Sequence, residues 1–196
     1  MNFSYKESFA HKMDEQDSLK KFRNKFHIPP AHQRDQSIYF CGNSLGLQPK
    51  NAEKYIQQEI DNWKLMGVKG HTKGDTPWLP YHELLTDYTS ELVGGLSSEV
   101  VVMNSLTVNI HLLMVSFYRP TNKRYKILIE DHAFPSDRFA LESQVRFHGF
   151  SPDEAIVTMN SFSGEHCITT DEILDYINRN KDNLAMIFMG GVNYFT

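Results

Sequence analysis

Four apolar runs, at 100–102, 125–129, 154–159 and 184–189, alternate with three stretches of helical spacing, at 105–118, 135–147 and 170–180. Strands separated by helix-length segments do not pair as hairpins; they lie in a largely parallel sheet joined by helical crossovers. This alternation constrains the chain to an α/β fold. One segment is ambiguous. Residues 105–118 are apolar nearly all round, and the alternation of Leu106, Val108, Ile110 and Leu112 also suits a strand. Length favours a helix, which Pro120 halts. Pro135 and Gly149 bound the next helix, and Thr169 with Glu172 has capping-box spacing for the last.

The first third reads differently. Phe9, Met13, Leu19, Phe22 and Phe26 recur at helical spacing, predicting one or two amphipathic helices before Pro29-Pro30. IYFCGNSLGLQPK at 38–50 predicts a short extended run and a glycine-rich turn. Pro49 suits a helix start; Ala52, Tyr55, Ile56, Ile60, Trp63 and Met66 form one apolar face, and Gly67 is placed to end the helix. GVKGHTKGDTPW at 67–78 is loop. A further helix carries Leu84, Leu85, Tyr88, Leu92 and Val93 and closes at Gly94-Gly95.

A chain of 196 residues, 40% apolar and 22% charged, has the composition of a globular protein with a real core. The net charge of −4, with no basic stripe, disfavours nucleic acid as a partner. No run reaches the roughly 18 apolar residues of a membrane span, and the mixed-charge N-terminus lacks a signal-peptide core. Cys41 and Cys167 are far apart and form no CxxC pair, which fits free thiols in a reducing, cytoplasmic setting. The histidines show no HxxxH or HExxH spacing, so a zinc site is not expected. GxGxxG and GxxxxGKS are absent, and GNSLG at 42–46 has Ser44 one place early for a GxSxG nucleophile.

The chemistry concentrates after the first two strands. Ser105, Leu106 and Thr107 open a helix at a strand end, where unpaired N–H groups and the helix dipole favour a phosphate dianion. Phe134, with Pro135, Ser136 and Asp137, follows the next strand at the same carboxyl edge, where open α/β sheets place ligands. Each also has a plainer reading: Ser105 as an N-cap, Ser136 and Asp137 as first-turn residues, His111 as a packed core histidine. His71, between glycines, is the histidine freest to meet a ligand, or is simply an exposed loop residue.

YFCGNSLGLQPK at 39–50, the Trp63–His71 run, PW at 77–78, MNSLTVNIHLLMVSFYRPT at 103–121, KILIEDHAFPSD at 126–137 and GVNYFT at 191–196 together resemble kynureninase, in order. The resemblance spans nearly everything after residue 38. It implies an incomplete large domain of the fold type I (aspartate-aminotransferase) pyridoxal-phosphate enzymes, α/β with a mostly parallel sheet and an N-terminal helical segment. Residues 1–75 would be a helical arm with a substrate loop, and 76–196 the first part of the cofactor-binding domain.

The implied activity is hydrolysis of L-kynurenine, or 3-hydroxykynurenine, to anthranilate, or 3-hydroxyanthranilate, and L-alanine. The implied setting is tryptophan catabolism and NAD biosynthesis, in a cytoplasmic homodimer. Leu106 and Thr107 would hold the phosphate of pyridoxal 5'-phosphate, Phe134 would stack on its ring beside Pro135, Ser136 and Asp137, and Ser44 and His71 would orient substrate. The family's ring-pairing aspartate and Schiff-base lysine find no match. After the FPSD turn the one lysine is Lys181, in a polar helix end, a poor place for a desolvated amine. The chain therefore reads as an N-terminal fragment, inactive and poorly soluble alone. A non-catalytic remnant that partners full-length subunits, or another fold type I lyase, are the competing readings.

Overall fold

A computed structural model of the chain describes residues 3–32, 35–160 and 167–192; the GVNYFT motif passes out of the described residues after Val192. The chain forms two compact units, residues 1–84 and 85–196. No helix among the described residues is long and apolar enough to cross a membrane.

In the first unit, α1 (Glu7–Gln16) and α2 (Lys20–Arg23) split the early amphipathic stretch into two helices. The extended run expected near residue 38 forms no strand; a single antiparallel bridge joins Phe26 and Pro49. Helix α3 (Ala52–Met66) ends at Gly67, whose φ of +51° a side chain would resist. Its apolar face is formed but not covered: Tyr55, Ile56, Ile60 and Trp63 are all at least half exposed. The spacing predicts the helix correctly; burial also requires a facing surface, which this unit by itself does not supply. The loop expected at 67–78 begins as a 3-10 helix, Gly67–His71.

The second unit opens with α4 (Thr86–Val93) and α5 (Leu106–Phe117), followed by β1 (Lys126–Glu130), α6 (Pro135–Phe147), the short α7 (Pro152–Ala155), β2 (Ile156–Met159), α8 (Thr170–Asn180) and β3 (Leu184–Phe188). The strands form a parallel sheet in the order β2-β1-β3. Expected and observed bounds agree closely for α5, α6 and α8. In α8 the capping box is present, with Thr169 Oγ1 accepting from the Glu172 N–H and the Glu172 carboxylate accepting from the Thr169 N–H.

The strand expected at Val100–Val102 is a correction. These residues are irregular. Three valines favour extended backbone, but a strand exists only where a neighbour takes its ladder bonds, and none of the three described strands pairs with them. Of the apolar residues expected on the further helix, Leu84 and Leu85 precede α4, and all five, with Tyr88, Leu92 and Val93, are exposed.

The sheet is covered on both faces. Ile127 and Ile129 point to one side, against Ile110, Met114 and Tyr118 of α5 and Ala140, Leu141 and Val145 of α6. Leu128 points to the other, with Met159, Leu184 and the Ile173, Tyr176 and Ile177 face of α8. Central β1 is buried on both faces and so reads as a continuous apolar run.

Tyr118, fully buried at the end of α5, donates its hydroxyl to the Tyr125 carbonyl at 2.6 Å. Burial pushes its pKa up to about 12. A raised pKa means that the folded state holds the proton more tightly. This stability is complete below the ordinary tyrosine value near 10 and is lost as pH rises through about 12. Urea titrations at pH 7 and at about pH 12 should show the wild type losing roughly 2 kcal/mol that Tyr118→Phe does not lose; at pH 7 the variant itself costs about 1 kcal/mol for the hydrogen bond. Parallel losses in both proteins would show that this phenol does not govern the alkaline limb.

Candidate cofactor and substrate site

Helices α5 and α6 lie side by side and run the same way. At mid-helix the Gln144 Nε2 of α6 meets the His111 Nδ1 of α5 at 3.1 Å, and at the far end Tyr118 and His148 rings meet edge to face at 5.3 Å. That far end adjoins Tyr125, just before β1 starts. The two helix N-termini therefore both sit toward the carboxyl edge of the sheet. His111, expected as a core residue, is half-buried and ties the two helices together.

At the start of α5, Ser105 has extended backbone and its hydroxyl makes no capping bond. The first helical bond runs from the Asn109 N–H to the Ser105 carbonyl at 3.0 Å, so the amides of Leu106, Thr107 and Val108 have no acceptor within the helix. Leu106 and Thr107 are exposed. The preceding turn carries Asn104 at φ +24°, and the Asn109 Nδ2 donates to the Met103 carbonyl at 3.2 Å, holding the turn against the first helical turn.

At the start of α6, Phe134 is the extended N-cap residue, 55% exposed, and Pro135 occupies the first turn. Ser136 and Asp137 are half-buried, the Ser136 hydroxyl donating to Asp137 Oδ1 at 3.3 Å. The Asp137 and Arg138 amides bond back to the Phe134 carbonyl. His132 in the turn from β1 has φ +56°, a conformation with a cost for a side chain, and leans on Asp131 at 3.3 Å. Free amides and a hydroxyl at one helix start, with an exposed ring at the start of its parallel neighbour, are groups that suit a phosphate joined to a flat aromatic ring.

Ser44 and His71 belong to the first unit. Ser44 is exposed in a turn where its N–H and that of Leu45 bond to the Cys41 carbonyl, and the Tyr39 hydroxyl closes the turn onto the Leu45 carbonyl. His71 ends the 3-10 helix after α3. Its ring meets the Trp78 indole edge to face at 5.4 Å.

What the sequence reading missed is the support under His71. Glu59 on α3 accepts from the Thr76 hydroxyl at 2.7 Å and from the Trp78 indole N–H at 2.9 Å. Hydrogen bonds from Thr76, then Trp78, hold its carboxyl below the usual carboxylate range. A signal was available: Glu59 falls at i+4 from Tyr55, i+3 from Ile56 and i−4 from Trp63, a charge in the middle of an apolar stripe. Glu59 and Trp78 also border an open apolar groove of about 520 Å3 with Tyr55, Ile56, Ile60, Trp63 and Tyr81.

No family model matches the chain. Curated relatives do. The kynureninase of Koribacter versatilis is 51% identical over 194 residues, 99% of this chain and 46% of that protein. The kynureninase of Myxococcus xanthus is 50% identical over the same shares, and that of Rattus norvegicus is 38% identical over 97% of this chain and 43% of its own. The chain thus spans somewhat less than half the length of the curated relatives it matches. Along nearly the whole of its own sequence, this chain is a homologue of the kynureninases.

Proposed function

We propose that these residues supply the phosphate, ring-stacking and substrate-orienting parts of a kynureninase, a pyridoxal-phosphate enzyme that hydrolyses L-kynurenine or its 3-hydroxy form and releases L-alanine. The observation that carries this reading is the identity of about half the residues to named kynureninases, together with two parallel helices that start at one sheet edge with free amides and an exposed phenylalanine. On this reading the domain is a partial fold type I large domain (residues 76–196) with an arm and substrate loop before it (1–75). A homodimer, a cytoplasmic location and a place in tryptophan catabolism and NAD biosynthesis go with the reading; resemblance supports them.

The Leu106 and Thr107 amides and the Thr107 hydroxyl would bind the cofactor phosphate. Phe134 would cover one face of the pyridine ring, with Pro135, Ser136 and Asp137 shaping the turn that presents it. When bound, the cofactor supplies an electron sink for charge released at the substrate α-carbon. Ser44 and His71 would orient the substrate by hydrogen bonds. Lys181, exposed at the C-terminal cap of α8, is no covalent anchor, so catalysis by this reading needs a lysine from outside these residues.

The test is a chimera in which residues 1–196 replace the matching part of the Koribacter versatilis kynureninase. The chimera should release anthranilate from L-kynurenine. Thr107→Val should weaken pyridoxal 5'-phosphate binding by at least 10-fold, the worth of a hydrogen bond to a charged group, and Phe134→Ala by a similar factor. A chimera that folds by circular dichroism yet neither binds the cofactor nor cleaves kynurenine overturns the reading, as does unchanged cofactor affinity in both variants. With the 196-residue chain alone, borohydride after cofactor addition should leave no stoichiometric adduct on any one lysine.

A further inference from the structure

Among the exposed histidines, His71 is held against a second aromatic ring by a built support, and the support is itself anchored. The Trp78 N–H bonds to the Gly70 carbonyl at 3.1 Å and the Leu79 N–H to the His71 carbonyl at 3.2 Å, so the segment returns alongside the 3-10 helix. Gly70 is buried beneath the indole; a Cβ there would lie 2.6 Å from the Trp78 ring. Only glycine lets the ring come this close. The indole and the His71 ring then meet edge to face. Both oxygens of one carboxylate fix this arrangement, one taking Thr76 Oγ1 and the other Trp78 Nε1. Removing the carboxylate frees both donors together, and with them the ring that sets the imidazole.

We propose that Glu59 and Trp78 are positioning residues for His71: the Glu59 carboxylate, by clamping Thr76 and the Trp78 indole, fixes the plane and place of the imidazole that meets the substrate. The clamp stands on geometry within the first unit, whereas its link to substrate rests on the kynureninase reading. Charge-assisted hydrogen bonds of this kind are the stronger ones, and an aromatic ring held edge to face against an imidazole restricts the plane that imidazole can take.

The chain holds two tryptophans, so Trp63→Phe leaves Trp78 as the sole indole. A protonated imidazole in contact quenches indole emission. Fluorescence of the Trp63→Phe chain at submicromolar concentration should therefore fall on acidification, and His71→Gln should abolish that step. Glu59→Ala should also abolish it, and Glu59→Gln, which can satisfy one donor as acceptor but not both, should at least halve it. Should Glu59→Ala lose its helical circular dichroism, Glu59→Gln decides. A full-amplitude step in the folded Glu59 variants overturns the proposal.

In the chimera, His71→Ala should raise the KM for kynurenine by roughly 10-fold, as losing one hydrogen bond to substrate would. Glu59→Ala should raise KM rather than lower kcat, and adding it to His71→Ala should cost nothing more. If His71→Ala leaves KM unchanged while the fluorescence step still depends on Glu59, the substrate role of His71 fails and the clamp stands. Additive KM effects overturn the clamp's link to substrate.

Discussion

Leu128→Asp is expected to abolish cooperative folding of the second unit. Leu128 is fully buried at the middle of β1, with Val157 of β2 on one side and Ile187 of β3 on the other. Its side chain fills the interface with α8 beside Met159 and Leu184. The substitution removes about 1.5–3 kcal/mol of apolar burial. It also places a carboxylate in a cluster made of apolar contacts, at a cost of several kcal/mol even if the group takes up a proton. The sum rivals the roughly 5–15 kcal/mol that holds a whole domain together. Urea titration by far-UV circular dichroism should show no native baseline. Ile187→Asp is the control: its side chain on edge strand β3 is 47% exposed, and a loss of about 1 kcal/mol or less is expected there. A Leu128→Asp chain with a wild-type midpoint would show that this sheet is not the core of the unit.

The second large effect concerns association. Helix α5 is apolar nearly all round, a composition that belongs in an interior. In this unit only one stripe, Ile110 and Met114, is buried, leaving Leu113 at 52%, Val115 at 58% and Phe117 at 70% exposure. Covering three such side chains is worth several kcal/mol, enough to change an association constant more than 100-fold. The chain should self-associate at micromolar concentration in sedimentation velocity, and the combined Leu113→Lys, Val115→Glu and Phe117→Lys variant should sediment as a smaller species. These positions lie away from Leu106 and Thr107, so the phosphate-facing start of the helix is untouched. A wild-type chain that stays monomeric at 100 μM would show that exposed apolar surface on α5 carries no drive to associate.

Both results turn on a distinction that runs through the molecule. Local signals reported local structure well. Proline and glycine punctuation fixed α6, the Thr169–Glu172 pair fixed the start of α8, and the unbroken apolar run Ile127–Ile129 marked a strand buried on both faces. The strand expected before the candidate phosphate turn is absent among the described residues, and of that turn only the helix start at Leu106 was legible, because helical period is a local feature. The Glu59 clamp was not, because it joins residues 17 and 19 positions apart, and its trace in the sequence was one misplaced charge in an apolar stripe.

From the order of residues came the elements, their direction and the kinship to kynureninases, since backbone preference and hydrophobic period are written residue by residue. Whether an apolar face is covered was decided only in three dimensions. Val100–Val102 needed a neighbour to become a strand, and the faces of α3 and α4 needed a surface to become core. A pattern states what a segment can bury, and burial itself depends on groups that chain proximity does not supply.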